Sequence, residues 1–152
     1  MDATYGALVS SPLGPISLLS TETHLISLQF GDLGFRNGTP LLLEAEAQLT
    51  AYFSGKLRQF HLPLLAKGTV FQERVWAALL DIPYGTTMSY RQLAERTGSP
   101  RAFRAVGNAN GKNPLPILIP CHRVIARGGG LGGYSCGLPR KQALLLLEGV
   151  AC

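Results

Sequence analysis

The chain has 152 residues, 46% of them hydrophobic and only 15% charged, which is enough apolar matter for one packed domain or two small ones. Lys and Arg outnumber Asp and Glu by 14 to 9, and the resulting +5 suits a polyanionic partner without identifying one. No apolar run approaches the roughly 18 residues of a membrane span, and the start Met1-Asp2-Ala3-Thr4-Tyr5 lacks a charged-then-apolar export signal. The cysteines Cys121, Cys136 and Cys152 have no paired spacing, there is no CxxC, and the three histidines are scattered. A cytoplasmic protein without membrane association, disulfide framework or zinc site is therefore expected.

Taken in order, Tyr5 to Val9 and residues 16–19 are apolar runs around Ser11-Pro12-Leu13-Gly14-Pro15 and predict a β-hairpin. Leu25, Ile26, Leu28 and Phe30 supply a third strand. After a Gly-rich break, Leu42, Ala45, Leu49, Tyr52 and Phe53 recur at helical spacing, with Gly55 as the stop. Phe60, Leu62 and Leu64 alternate as a final strand. This half holds no cysteine and only His24 and His61 as nitrogen ligands, and it reads as scaffold.

Leu65-Ala66-Lys67-Gly68 marks a join, so the expected domains are residues 1–66 and 67–152. Phe71, Val75, Leu79 and Ile82 then form an amphipathic helix ended by Pro83-Tyr84-Gly85, with Trp76 beside the stripe as core. Ser89 can cap a helix in which Tyr90, Leu93, Ala94 and Thr97 share a face, and Gly98-Ser99-Pro100 turns the chain into another helix from Arg101. Helix, Gly-containing turn, helix is the helix-turn-helix pattern. Its second member, residues 101–107, is expected to turn Ala102, Ala105 and Val106 inward and Arg101 and Arg104 outward. Small residues and cations in this arrangement suit nucleic acid, although many helical hairpins bind nothing.

The segment Asn113-Pro114-Leu115-Pro116-Ile117-Leu118-Ile119-Pro120-Cys121-His122-Arg123-Val124 then sets a cysteine between a proline and a histidine. Three prolines fix φ and remove backbone donors, so neither a regular helix nor a central strand can run through it. A cysteine followed by His122 and Arg123 sits where positive charge favours the reactive thiolate. The competing readings are a buried structural cysteine and one ligand of a metal set. Residues 126–134 are too glycine-rich for a regular element and read as a loop at a site or an ordinary hairpin. A closing helix runs from Pro139 to Glu148, with Gly149 as its stop.

Pro-Cys-His-Arg-Val, preceded by Asn-Pro and followed by Gly-Gly-Tyr-Ser, resembles the O6-alkylguanine-DNA alkyltransferases, the suicide DNA-repair proteins also called methylated-DNA–protein-cysteine methyltransferases. Phe71-Gln72 through Val75-Trp76, Ile82-Pro83-Tyr84-Gly85-Thr86, Ser89-Tyr90, Leu93-Ala94, Arg104-Ala105-Val106-Gly107 and Leu147-Glu148-Gly149 look like that family in the same order. Ser11-Pro12-Leu13-Gly14 and Tyr52-Phe53-Ser54-Gly55 extend the likeness to the first half. The resemblance implies an α/β protein: an N-terminal α/β domain of ribonuclease H-like fold without nuclease function, then a C-terminal winged helix-turn-helix domain that carries the site.

The resemblance further implies that the recognition helix enters the minor groove, with Arg104 filling the space left when the damaged nucleotide rotates out of the stack. An O6 alkyl group lies inside the duplex, where a thiolate cannot reach its carbon in line. By family position Cys121 accepts the alkyl group, His122 takes its proton through a water, and Glu148 orients the imidazole. Tyr90 donates to the leaving guanine, and Asn113 ties the active-site turn together. Val124 and Ser135 match backbone contacts to the guanine edge, Tyr134 and Pro116 form pocket walls, and Arg101, Ala102, Ala105, Ser89 and Tyr90 complete the DNA-contacting set with Arg104.

Membership of such a family also implies a stoichiometric, irreversible transfer that needs no cofactor and no metal. The partner is duplex DNA containing O6-alkylguanine, with O4-alkylthymine a second candidate lesion, bound by a monomer whose cooperativity along DNA stays open. The location would be the nucleoid in a bacterium or archaeon and the nucleus in a eukaryote. Cys136 departs from the family pattern, standing where many relatives have glycine. On the pocket rim it either narrows access for bulky adducts or is a harmless small substituent. Some relatives bind zinc through N-terminal Cys and His residues that are missing here. The rival reading, an alkyltransferase-like lesion-binding protein that recruits other repair factors, requires the reactive cysteine to be replaced, and Cys121 is intact. A regulator would need a further metal-binding domain for which 152 residues leave no room.

Overall fold

The computed structural model describes residues 4–36, 38–126, 132, 134 and 136–150. The chain divides into two compact units, residues 1–67 and 68–152. In the first, β1 (Tyr5–Val9), β2 (Ile16–Ser20) and β3 (Leu25–Phe30) form an antiparallel sheet in the order β1-β2-β3. Val9 lies opposite Ile16, and Leu18 lies between Ala7 and Leu28. Helix α1 (Pro40–Phe53) starts on Thr39, whose hydroxyl accepts from the Leu42 amide, with Pro40 in the first turn where its missing donor costs nothing. Its buried residues Leu42, Ala45, Leu49 and Tyr52 follow the 3.6-residue period and cover the sheet.

The strand expected over Phe60, Leu62 and Leu64 does not form. The alternation of exposure is present, but pairing is limited to one parallel bridge between Leu64 and Leu25. Pro63 has no amide to donate, and the His61 backbone is engaged on both sides by the Gln48 side chain. The Phe60 ring packs instead on Tyr52, 5.2 Å between centroids.

The second unit is helical. Helix α2 (Val70–Leu79) begins in a capping box of Thr69 and Gln72, and α3 (Tyr90–Arg96) in another of Ser89 and Gln92. Helix α4 (Phe103–Gly111) packs against both, and the Trp76 indole on α2 donates to the Ala109 carbonyl on α4 at 2.8 Å. A single 3₁₀ turn, Cys121–Arg123, leads into β5 (Val124–Ile125), which pairs in parallel with β4 (Met88–Ser89): Met88 faces Val124 and Ser89 faces Ile125. That short pairing sets the start of α3 beside the cysteine turn. Helix α5 (Leu138–Leu147) packs on the same turn and ends at Glu148.

Candidate active site

The segment before Cys121 is a folded turn rather than an extended one. Ile119 donates to the Leu115 carbonyl and Cys121 to the Ile119 carbonyl, each at 2.8 Å, and Ile117 is forced to φ +74°. A β-branched residue there costs on the order of 1–3 kcal/mol, which the burial of Leu115, Ile117, Leu118 and Ile119 offsets. Asn113 clamps the turn: its Nδ2 donates to the Ile119 carbonyl at 2.8 Å and its Oδ1 accepts from the Leu115 amide at 2.9 Å. Its side chain also acts on the Cys121 thiol, favouring the thiolate. Asn110 on α4 adds a longer bond, Nδ2 to the Cys121 carbonyl at 3.4 Å.

Beyond the thiol, which is 2% exposed, the next two residues converge on Glu148. His122 donates from Nε2 to Glu148 Oε2 at 2.8 Å. Arg123 forks onto the same carboxylate, Nε to Oε1 at 2.8 Å and Nη2 to Oε2 at 3.0 Å, and its Nη1 donates to the Ile82 carbonyl at 2.7 Å. The Gly85 amide gives Oε1 another donor at 3.2 Å. The Ile82-Pro83-Tyr84-Gly85 turn thus closes over the end of α5. A carboxylate in this position must accept, so the Nε2 proton is fixed. His122 Nδ1, buried and without a hydrogen-bond partner among the described residues, is left basic.

The expectation that adjacent positive charge favours the thiolate is overturned. Arg123 is committed to Glu148, and burial pushes the Cys121 thiol up to about 11, opposed by the Asn113 side chain and, more weakly, by Lys141. Burial also lowers His122 from its ordinary value, against the pull of Glu148, so the imidazole is neutral and able to take a proton. Lys141 is fully buried, its Nζ donating to the Val124 carbonyl at 2.6 Å and lying 6.0 Å from the centre of the Tyr90 ring.

Tyr90 stands at the first position of α3, half-buried. A Cβ on Gly132 would meet its ring at 2.9 Å and its hydroxyl at 3.1 Å, so only glycine allows that part of the glycine-rich segment to lie against the tyrosine. Val124 and Pro116 are buried beside the cysteine turn, and Tyr134 and Cys136 are half-buried just before α5. Cys136 lies close enough to Cys121 for its charge to oppose thiolate formation. Ser135 lies outside the described residues, as do most of residues 127–133.

The recognition helix differs from expectation. It begins at Phe103 rather than Arg101, because Arg101 belongs to the preceding turn and Ala102 is the cap residue. Its buried face is Val106, Ala109 and Asn110, whereas Ala105 is exposed together with Arg101, Phe103 and Arg104. Placing Ala105 inward put it on one stripe with Ala102 and Val106, whereas the buried stripe runs from Val106 through Ala109 and Asn110. The exposed face therefore carries Ala105 beside Arg104, and no cap-residue side chain bonds the first turn, which leaves backbone amides free for phosphate. A cleft of about 440 Å³ opens beside it, lined by Ser89, Tyr90, Arg91, Pro100, Arg101 and Phe103. Among the described residues no three His, Cys, Asp or Glu side chains are grouped as metal ligands.

Sequence reasoning missed Lys141 and the commitment of Arg123 to Glu148. A signal for the first existed: Lys141, Leu144, Leu145 and Glu148 are spaced three, one and three apart, which places both charges on the buried stripe of α5.

Comparison with known proteins follows the same division. Residues 4–66 match the family model for the ribonuclease-like domain of 6-O-methylguanine DNA methyltransferase, and residues 70–150 match the model for its DNA binding domain. The methylated-DNA–protein-cysteine methyltransferase of Methanosarcina barkeri is 48% identical over 95% of this chain and 96% of its own. The one from Mycobacterium leprae is 48% identical over 92% of this chain and 89% of its own. A crystal structure of the Mycobacterium tuberculosis O6-methylguanine methyltransferase superposes with a TM-score of 0.87 at 44% identity, covering 96% of this chain and 93% of that one. The same organism's enzyme in complex with DNA gives 0.88 at 44% identity, over 95% and 92%. The chain is a DNA-binding repair protein that belongs to the methylated-DNA–protein-cysteine methyltransferase family.

Proposed function

We propose that the protein restores guanine in duplex DNA by taking the O6-alkyl group onto Cys121, once per molecule, acting as a monomer, with O4-alkylthymine as a second lesion. With the thiol at about 11, only about one molecule in ten thousand carries a thiolate at neutral pH, so attack must be coupled to proton removal. The Cys121 proton passes through one water to His122 Nδ1. Sulfur then forms a bond to the alkyl carbon, the carbon–O6 bond breaks with its electron pair left on guanine, and Tyr90 protonates the ring. The proton held by His122 returns to the tyrosine, so the net change is one proton moved from sulfur to guanine. The product thioether has no leaving group that could regenerate the thiol. Arg104 would occupy the gap left by the rotated nucleotide, and the exposed face of α4 with Arg101, Ala102, Ala105 and Ser89 would follow the minor groove.

The observation that carries this reading is a buried thiol next to an imidazole whose Nε2 is locked on Glu148 and whose Nδ1 is unpartnered among the described residues. Mass spectrometry of the intact protein after mixing with O6-methylguanine duplex is the test. One methyl added, located on Cys121 and never exceeding one per chain, is expected; repeated turnover, or transfer that persists in Cys121→Ala, refutes it.

A further inference from the structure

A lysine with no solvent exposure, and with a neutral carbonyl among its partners, is costly to keep. Lys141 comes from the second turn of α5 and bonds Val124, the residue after the cysteine turn. The titratable groups its charge reaches are Cys121 and His122 on that turn, with the Tyr90 ring of α3 at 6.0 Å, while Cys136 before α5 acts on the same thiol. Arg123 and Glu148 neutralise each other through two short bonds. The field of Lys141 favours ionisation of Cys121 and, in the same sense, disfavours charging His122.

We propose that Lys141 is a positioning residue for the alkyl transfer, an ammonium held by the Val124 carbonyl that stabilises negative charge on Cys121 sulfur. The inference rests on Cys121 being the acceptor, but it acts through the thiol and can be read without DNA. Lys141 lies at about 8, so its charge is present at neutral pH and lost above it. An apolar replacement removes that charge without leaving a new one unpaired, so a purely structural lysine would be dispensable to thiol chemistry.

The test compares wild type with Lys141→Met, Lys141→Gln and Lys141→Arg. Iodoacetamide labelling of Cys121 is located by peptide mass spectrometry from about pH 6.5 to 9.5, beside thermal unfolding and single-turnover methyl transfer. Expected are neutral variants that remain folded, label Cys121 about tenfold more slowly near neutral pH, and lose an inflection near pH 8, with Lys141→Arg recovering most of the rate. Methyl transfer should slow in parallel. A folded neutral variant with the wild-type labelling profile overturns the proposal, even if its methyl transfer is slow. Failure of every chain, wild type included, to accept a methyl group would instead count against the repair reading and leave the labelling result standing.

Discussion

Arg123 and Glu148 meet through two bonds in the interior, Nε to Oε1 at 2.8 Å and Nη2 to Oε2 at 3.0 Å, in the carboxylate that also receives His122. Removing one member leaves the other buried and uncompensated. Arg123→Met is therefore expected to lower unfolding stability by about 3–5 kcal/mol and Glu148→Gln by a similar amount, with the double variant losing less than the sum. Urea unfolding of the single and double variants measures the coupling, and additive losses would exclude it. Because Glu148 also sets the His122 tautomer, Glu148→Gln should slow methyl transfer by about 10²–10⁴ in single-turnover assays.

Asn113 is expected to be as sensitive for a different reason. Asn113→Ala strips the Leu115 amide of its partner and leaves the Ile119 carbonyl with the Cys121 amide alone, both inside the turn that holds Ile117 at positive φ. One buried donor left unpaired and one further bond lost cost about 2–4 kcal/mol together, and the turn has strain to release once the clamp is gone. Thermal unfolding together with the rate of methyl transfer checks this, and a variant as stable and as fast as wild type would show that Asn113 clamps nothing.

How legible these features were in the sequence depends on whether they are periodic or spatial. The stripe Leu42, Ala45, Leu49 and Tyr52 and the two capping boxes are short-range patterns, so α1, α2 and α3 follow from residue order alone. Pro63 marked the residues 60–64 run as a poor strand, and the alternation concealed it. The start of α4 was misplaced because Ala102 has no side-chain acceptor to mark a cap. The pairing of Glu148 with Arg123 spans 25 residues and depends on how α5 docks, which no local pattern encodes. Rigid prolines around Cys121 were visible. That the thiol is held neutral by burial rather than ionised by its neighbours was not, because a pKa follows from enclosure and not from adjacency.

Two buried groups give the stability a pH dependence of opposite signs. The folded Cys121 sits near 11 against an ordinary 9.0, so the folded chain holds this proton more tightly, and the stabilisation is full below about pH 9 and lost as pH rises through 11. Lys141 sits near 8 against 10.5, so its contribution is lowest below pH 8 and rises until about pH 10.5. Between about pH 9 and 10.5 the two slopes oppose each other. Cys121→Ser removes one of them, and its stability relative to wild type should climb with pH across that window. Urea midpoints at a series of pH values measure it, and a pH-independent difference would show that the thiol is not held neutral by the fold.

Arg104 separates DNA handling from chemistry. It is exposed in the first turn of α4, so Arg104→Ala should change stability by no more than about 0.5 kcal/mol. If its side chain replaces the rotated nucleotide, methyl transfer from duplex should fall by about 10² or more, while reaction with O6-benzylguanine as a free base, which needs no rotation, should hardly change. Equal losses on both substrates would place Arg104 in the chemistry instead.

Cys136 bears on which adducts fit. It is half-buried before α5 and close enough to Cys121 for its charge to oppose thiolate formation, and the family likeness would put it on the pocket rim. If Cys136 stands on that rim, Cys136→Gly removes a Cβ and a sulfur from it, and the gain should grow with the size of the transferred alkyl group. The rate on O6-benzylguanine duplex is expected to rise by about 3–10-fold relative to O6-methylguanine duplex, the range that one or two heavy atoms of bulk in a packed pocket produce. Single-turnover rates of both proteins on both duplexes give the ratio of ratios. A value of one would make Cys136 a small substituent without influence on adduct choice.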